Sequence, residues 1–143
     1  MRFLLAFAFL AAFPAAGQEM PVVQLNAGMH LIRAEVAADF NTRARGLMFR
    51  ASMPQNAGML FIFDEAGAQC MWMKNTLIPL SVAFIDDAGA IINIADMQPQ
   101  TEDSHCASRP ARYALEMNRG WFAARGIKPG TKLGGFEKLR PGN

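Results

Sequence analysis

The chain has 143 residues, of which 52% are hydrophobic and 18% charged, and its formal net charge is +2. This length supports one domain with a single hydrophobic core and is too short for two. The basic residues are scattered along the sequence, so the charge gives no case for a nucleic acid partner or for binding to an anionic membrane.

The N-terminal stretch differs in composition from the rest of the chain. A basic Met1-Arg2 pair precedes an apolar run over residues 3–13, and Ala15-Ala-Gly17 supplies the small residues that a signal peptidase reads. The apolar run is well short of the ~20 residues needed to span a bilayer. We therefore predict a signal peptide at residues 1–17, a single mature domain at 18–143 without a membrane anchor, and a periplasmic or secreted location.

The chain contains two cysteines, Cys70 and Cys106. In an exported protein two cysteines most simply form one disulfide, which an oxidising compartment preserves. The alternative is a free pair that binds metal or does redox work, but the sequence has no Cys-x-x-Cys motif. We predict the disulfide Cys70–Cys106.

The sequence pattern of the first half of the mature chain predicts a hairpin, a short helix and a buried strand. The hairpin strands are predicted at residues 22–25 and 30–37. Asp39 or Asn41 can cap a helix through residues 42–48, which Gly46 weakens or ends early. Residues 59–63 are apolar on both faces and predict a buried strand, followed by a turn at 64–67.

The second half is dominated by short strands. A strand around Trp72 ends in a polar bend, and Pro79 delays the next strand until Leu80. Further strands are predicted at residues 81–85, 90–95, 112–117 and 132–136, with a long loop at 97–108 and a helical turn at 121–125 between Asn118 and Gly126. Many short strands with one or two short helices predict an α+β fold, mainly antiparallel, with a compact barrel-like sheet.

The residues with the greatest chemical variety lie in and beside the Trp72-Met-Lys-Asn-Thr76 segment. Polar side chains at a strand end between apolar walls are typical of a pocket mouth. We predict that an anionic or sugar-like ligand, or a protein partner, binds at Arg45, Trp72, Lys74, Asn75, Thr76 and Glu116. The alternative interpretation is structural: Arg45 and Glu116 form an ion pair, while Asn75 and Thr76 cap a turn.

A second possibility is a soft metal site, since thioether and imidazole ligands select Cu(I). Met71 and Met73 lie on one strand face beside Trp72, and His105 could complete the set. The simpler interpretation is that these methionines fill the core, which leaves the protein without a cofactor. An enzyme is the third possibility. It is the least supported of the three, because the sequence contains no nucleophile motif, histidine dyad or phosphate-binding loop.

Four segments resemble the DUF192 (UPF0127) family of small, often exported prokaryotic proteins. They are RARGLMFR at residues 43–50, GMLFIF at 58–63, WMKNTLIPL at 72–80 and ARYALE at 111–116. The resemblance implies a compact β-rich fold and no assigned activity. It also implies an aspartate at two positions that Ser81 and Thr131 occupy in this chain.

Overall fold

The main element of the fold is a six-stranded sheet. The computed structural model describes residues 19–139. The predicted signal peptide lies outside the described residues. The strands are β1 (Val22–Ala27), β2 (His30–Ala37), β3 (Ala57–Gly67), β4 (Cys70–Met71), β5 (Leu80–Ile85), β6 (Ile91–Met97), β7 (His105–Cys106) and β8 (Ala111–Asn118). The helices are α1 (Phe40–Arg45) and α2 (Trp121–Ala124), with a 3-10 turn at Phe136–Leu139. No helix within residues 19–139 is long and apolar enough to cross a membrane.

The strand order in the main sheet is β1-β2-β3-β8-β5-β6, while β4 and β7 form a separate two-stranded ribbon. All neighbours are antiparallel except β2 and β3, whose parallel pairing runs from Arg33 opposite Ala57 to Ala37 opposite Phe61. The connection between these two strands carries α1. The predicted mainly antiparallel α+β fold and the two hairpins β1–β2 and β5–β6 are confirmed.

The sheet is open, so the expectation of a barrel-like closure is wrong. Residues 132–136, predicted as a last strand, form only two isolated bridges, Asn26 with Gly134 and Ala90 with Lys132. The backbone explains this, because Gly130 and Gly135 have φ values of 89° and 101°, which interrupt an extended strand. The C-terminal segment therefore touches both sheet edges, β1 and β6, without joining them by a continuous ladder.

Two hydrophobic clusters lie on the opposite faces of the sheet. Residues of β8 alternate between the two clusters: Tyr113, Leu115 and Met117 belong to the cluster that α2 and the C-terminal segment cover, while Ala114 belongs to the other. This second cluster includes Leu47 from the turn after α1 and Met73 from the Trp72 segment. It is the face on which the candidate site lies.

Helix α1 is shorter than predicted and begins with a capping box. The Asp39 carboxylate accepts a hydrogen bond from the Thr42 N–H at 2.9 Å, and the Thr42 hydroxyl accepts one from the Asp39 N–H at 3.3 Å. Gly46 ends the helix with φ 50°, and a side chain there would meet the Phe61 ring at 3.3 Å. Helix α1 thus stops where it packs on β3.

Three local predictions differ from the structure. Residues 64–67 continue β3 through an irregular register rather than forming a turn. The strand around Trp72 has only two residues, because the polar Lys74 and Asn75 already form the bend. Asn118 does not cap α2, whose N-cap is Gly120, since the Asn118 amide instead donates to the Met53 carbonyl at 2.9 Å.

Candidate functional site

A cavity of about 670 Å³ opens between α1, β3 and the β4 segment. This volume falls within the roughly 300 to 1,000 Å³ of typical small-molecule sites. Its walls combine aromatic and thioether side chains with a few polar groups. The lining residues are Phe40, Arg43, Ala44, Arg45, Gly46, Leu47, Met48, Phe61, Phe63, Asp64, Glu65, Gln69, Cys70, Met71, Trp72, Thr76 and Glu116.

Glu116 lies in the wall of this cavity at the centre of the main sheet. It sits on β8 opposite Met59 of β3 and Val82 of β5, and it is only 3% exposed. Burial in this apolar environment raises the pKa of the carboxyl to about 8. Within residues 19–139 no hydrogen bond or ion pair reaches its carboxyl oxygens. Glu116 is therefore a buried acid that the described chain leaves without a partner.

The two arginines of α1 differ in their surroundings. The Arg43 guanidinium donates to the carbonyls of Ala38 and Ile62 and pairs with Asp64 at 3.4 Å, so it ties the helix to β3. Arg45 is exposed at the cavity and forms no ion pair with any described residue. The structural interpretation of Arg45 and Glu116 as an ion pair is wrong, because both line one cavity without pairing.

The Trp72 segment divides into residues that line the cavity and residues that hold it in place. Trp72 and Thr76 line the cavity. Lys74 does not, and its ammonium lies 5.2 Å above the Trp72 ring and 3.8 Å from Glu102. Asn75 also lies outside the lining, with φ 54°, a left-handed conformation that asparagine tolerates.

Backbone hydrogen bonds anchor this segment on two sides. The Phe49 N–H donates to the Asn75 carbonyl at 2.9 Å, which joins the segment to the turn after α1. The Gln100 N–H donates to the Thr76 carbonyl at 3.0 Å, and the Met73 N–H donates to the Thr101 carbonyl at 3.0 Å. Hydrogen bonds thus hold the polar bend between two loops. For Lys74 and Asn75, a role in ligand binding stays a prediction.

The predicted disulfide is present and forms part of the cavity wall. Cys70 and Cys106 are directly opposite each other in the β4–β7 ribbon, and the disulfide joins them. Met71 and His105 form the next pair across the ribbon and share a face, because directly opposite residues point the same way. Met73, the third residue of the suggested copper site, is fully buried in the core.

Several lining residues were not predicted from the sequence as site residues. Phe40 is 77% exposed at the cavity, and Leu47 and Phe61 form part of its apolar wall. A hint was available for the α1 turn, where Gly46 lets the helix end closely approach Phe61. No comparable signal marks Gln69, which the irregular end of β3 brings to the cavity.

Ser81 and Thr131, the two positions where the family resemblance implies an aspartate, do not line the cavity. The buried Ser81 hydroxyl donates to the Asp96 carboxylate at 2.6 Å and accepts from the Gly120 N–H at 2.9 Å. Because Ser81 and Asp96 are opposite each other on β5 and β6, the carboxylate is supplied by the neighbouring strand. The Thr131 hydroxyl accepts a hydrogen bond from the Lys128 N–H within a turn.

Two solved structures resemble this chain along most of its length. One is a protein of Sinorhizobium meliloti 1021 described as a candidate transcription regulator, with 37% identity over 80% of this chain and 92% of that one, and a TM-score of 0.75. The other is a protein of unknown function from Novosphingobium aromaticivorans DSM 12444, with 34% identity over 89% and 93% of the two chains and a TM-score of 0.77.

No curated protein matches the sequence. The model of the DUF192 family, described as uncharacterized, matches residues 22–135, which include every strand of the main sheet and the whole cavity lining. That match covers most of the chain and agrees with the four motifs recognised in the sequence. The protein belongs to the DUF192 family.

Proposed function

We propose that this protein is a small-molecule binding module whose ligand occupies the cavity beside α1. The observation that carries the proposal is the placement of Glu116, a buried acid that no other residue of the described chain pairs with, in the wall of a cavity of about 670 Å³. A buried polar group without a partner costs stability, and such costs are concentrated at functional sites. A ligand that satisfies this group would offset the cost.

The remaining lining suggests how a ligand would be held. Trp72 is 47% exposed at the cavity and offers an aromatic face, with Lys74 above its ring. Arg45 lies on the helix side without an ion pair to any described residue, and a guanidinium binds carboxylate or phosphate groups through two parallel hydrogen bonds. The geometry favours a ligand with an apolar or aromatic body and an acidic group directed to Arg45.

A thermal-shift screen of small aromatic carboxylates tests the proposal, because a ligand that binds only the folded state raises the melting temperature. Two variants complete the test. Ala44→Trp fills the cavity mouth from α1, and the control Ala123→Trp places the same side chain on the exposed face of α2. We expect shifts in the parent and in Ala123→Trp, and none in Ala44→Trp. Shifts that survive Ala44→Trp would place binding elsewhere and contradict the proposal.

A second candidate function, Cu(I) binding, is favoured by one observation. Met71 and His105 are opposite each other on the β4–β7 ribbon, although they are distant in sequence. An anaerobic Cu(I) titration should quench the fluorescence of the neighbouring Trp72 at one equivalent, and Met71→Leu should abolish the quenching. Met73→Leu serves as the matched control, since Met73 lies in the core. Quenching that Met71→Leu leaves intact would remove this candidate.

We also propose that the protein is exported. The proposal is supported by the leader-like residues 1–17 and by the Cys70–Cys106 disulfide, a bond typical of oxidising compartments. N-terminal sequencing of the protein from a periplasmic extract of its host should begin at Gln18. Recovery of the full-length chain only from the cytoplasmic fraction would contradict export.

A further inference from the structure

Within residues 19–139, no cation forms an ion pair with Glu116. The basic groups of the cavity lining are Arg43 and Arg45 from α1; Arg43 pairs with Asp64, and neither forms an ion pair with Glu116. The other charged lining residues, Asp64 and Glu65 of β3, are acidic, and β5 carries no ionisable side chain. Arg112 lies four residues from Glu116 on the same face of β8, and its buried Nε has no hydrogen-bond partner among the described residues, but Arg112 does not line the cavity. A positive charge beside Glu116 inside the cavity would therefore come from the ligand.

The aromatic residues of the cavity lining are suited to a cation. Phe40, Phe61, Phe63 and Trp72 all line the cavity. Aromatic faces attract ammonium groups through their quadrupoles, and cages of aromatic side chains are a recurrent way to bind quaternary ammonium groups. On the helix side, Arg45 presents the opposite charge. The lining thus offers a buried acid, several aromatic side chains and a separate positive charge at the helix.

We propose that the ligand is an amino zwitterion of the amino-acid type, whose ammonium lies against the Glu116 carboxylate and whose acidic group lies against Arg45. This inference rests on the proposed function, because it names the chemical class of ligand for the same cavity. It assigns Glu116 the role of counter-ion, which is distinct from that of a neutral hydrogen-bond donor. In the empty protein the buried acid holds a proton, and the arriving ammonium displaces it.

The proton displacement makes the inference measurable. With the pKa at about 8, the empty site is protonated at neutral pH and ionises when the ammonium enters. Binding of an ammonium should therefore release close to one proton near pH 7, and the affinity should rise by about fiftyfold between pH 6 and pH 8. A ligand without the ammonium should show neither effect.

Three probes that share one aromatic body provide the test: L-phenylalanine, 3-phenylpropionate without the amine, and 2-phenylethylammonium without the acid. Isothermal titration calorimetry in two buffers of different ionisation enthalpy measures affinity and proton release together. We expect phenylalanine to bind at least about tenfold more tightly than 3-phenylpropionate at pH 8. Glu116→Gln, which keeps the shape and the hydrogen bonding but not the charge, should abolish this difference and leave 3-phenylpropionate unaffected.

Arg45→Ala provides the matching variant at the other end of the ligand. It should weaken phenylalanine and 3-phenylpropionate but leave 2-phenylethylammonium unchanged. If 3-phenylpropionate binds as tightly as phenylalanine, or if Glu116→Gln keeps the preference for phenylalanine, the zwitterion inference is wrong while the binding module stands. If none of the three probes binds, the inference falls, and the independent screen with Ala44→Trp decides the proposed function.

Discussion

Asn75 was predicted to bind a ligand, but its backbone conformation offers a structural reason for an asparagine at this position. Its φ of 54° is a left-handed conformation, and its carbonyl accepts the Phe49 N–H. We expect Asn75→Ala to lower the free energy of unfolding by about 1 kcal/mol, because an alanine Cβ is strained there. Asn75→Gly should cost only a few tenths of that amount, since glycine adopts this conformation freely. Denaturant melts of both variants decide it, and equal losses would contradict a backbone origin.

Lys74 supplies the comparison for Asn75 in the same bend. Its side chain is 48% exposed, and its ion pair with Glu102 at 3.8 Å is a surface pair. Such pairs contribute little, so Lys74→Ala should change the free energy of unfolding by less than about 0.5 kcal/mol in the same melts. A loss above about 2 kcal/mol would mean that the amine, rather than the backbone, holds the bend.

Glu116 should make the stability of the protein fall as the pH rises. Its pKa is about 8 in the folded protein against an ordinary value of 4.5, so between these values the folded chain holds a proton that the unfolded chain has lost. The stabilisation is present at low pH and is lost as the pH rises through about 8, at about 1.4 kcal/mol per pH unit. Denaturant melts of parent and Glu116→Gln between pH 5 and 8 should therefore differ in slope.

The control for this experiment is Glu102→Gln, which removes an exposed carboxylate. It should keep the slope of the parent. If Glu116→Gln also keeps that slope, the carboxyl is ionised in the folded protein at neutral pH, and the proton displacement proposed for the ligand would have no source.

At the residue scale, the sequence predicted which residues line the site better than it predicted which of them pair with each other. Arg45, Trp72, Thr76 and Glu116 were selected by type and do line one cavity. The Arg45–Glu116 ion pair of the structural interpretation is absent because pairing depends on the distance between α1 and β8, and these two residues are 71 positions apart in the sequence. Local patterns carry no information about that distance.

The β4–β7 ribbon is a short element whose two strands are joined by one covalent bond. It contains two residue pairs, and a ribbon this short is not stable alone. The disulfide has a sequence separation of 36, for which the chain-entropy model gives about 3 to 4 kcal/mol. We expect the double variant Cys70→Ser, Cys106→Ser to lose that much in denaturant melts. A reductant should destabilise the parent equally and leave the double variant unchanged.

Hydrogen exchange gives a second measurement of the same loss. The Met73 N–H donates to the Thr101 carbonyl and the Ala107 N–H to the Gln69 carbonyl, and both bonds tie the ribbon region to the cavity wall. Their protection should fall in the double serine variant, while amides of β5 fall only by the global amount. Uniform loss of protection across the chain would show that the disulfide acts on overall stability alone.

The pairing of β3 with β8 requires a glycine at one point. A Cβ on Gly58 would lie 2.4 Å from the Met117 sulfur and 2.5 Å from the Glu116 carbonyl oxygen, and the latter is backbone that cannot move away. Gly58→Ala should destabilise the protein by about 1 to 3 kcal/mol. Gly67→Ala in the same strand is the control, because its Cβ would meet only the flexible Gln69 amide. Equal melting temperatures for the two variants would contradict a steric requirement at Gly58.

At the scale of the whole molecule, the sequence predicts the strands but not how they are joined. Alternating apolar residues identified β1, β2, β5, β6 and β8, since that signal is local. The parallel pairing of β2 with β3 across the α1 connection has no local signature. Closure of the sheet was overestimated because a short apolar run near Leu133 resembles a strand, while left-handed glycines on both sides interrupt it.

The contacts of the C-terminal segment bear on how molecules of this protein meet one another at high concentration. Asn26 on the outer strand β1 exchanges two backbone hydrogen bonds with Gly134, at 3.1 and 2.8 Å, and the Ile91 N–H at the other outer strand donates to the Thr131 carbonyl. Unpaired outer strands act as templates for intermolecular β-pairing. A chain shortened after Gly130 should therefore self-associate, and light scattering should detect this at concentrations where the full chain stays dispersed. The segment would then protect both outer strands from intermolecular pairing, in addition to covering the hydrophobic cluster that contains Leu133 and Phe136.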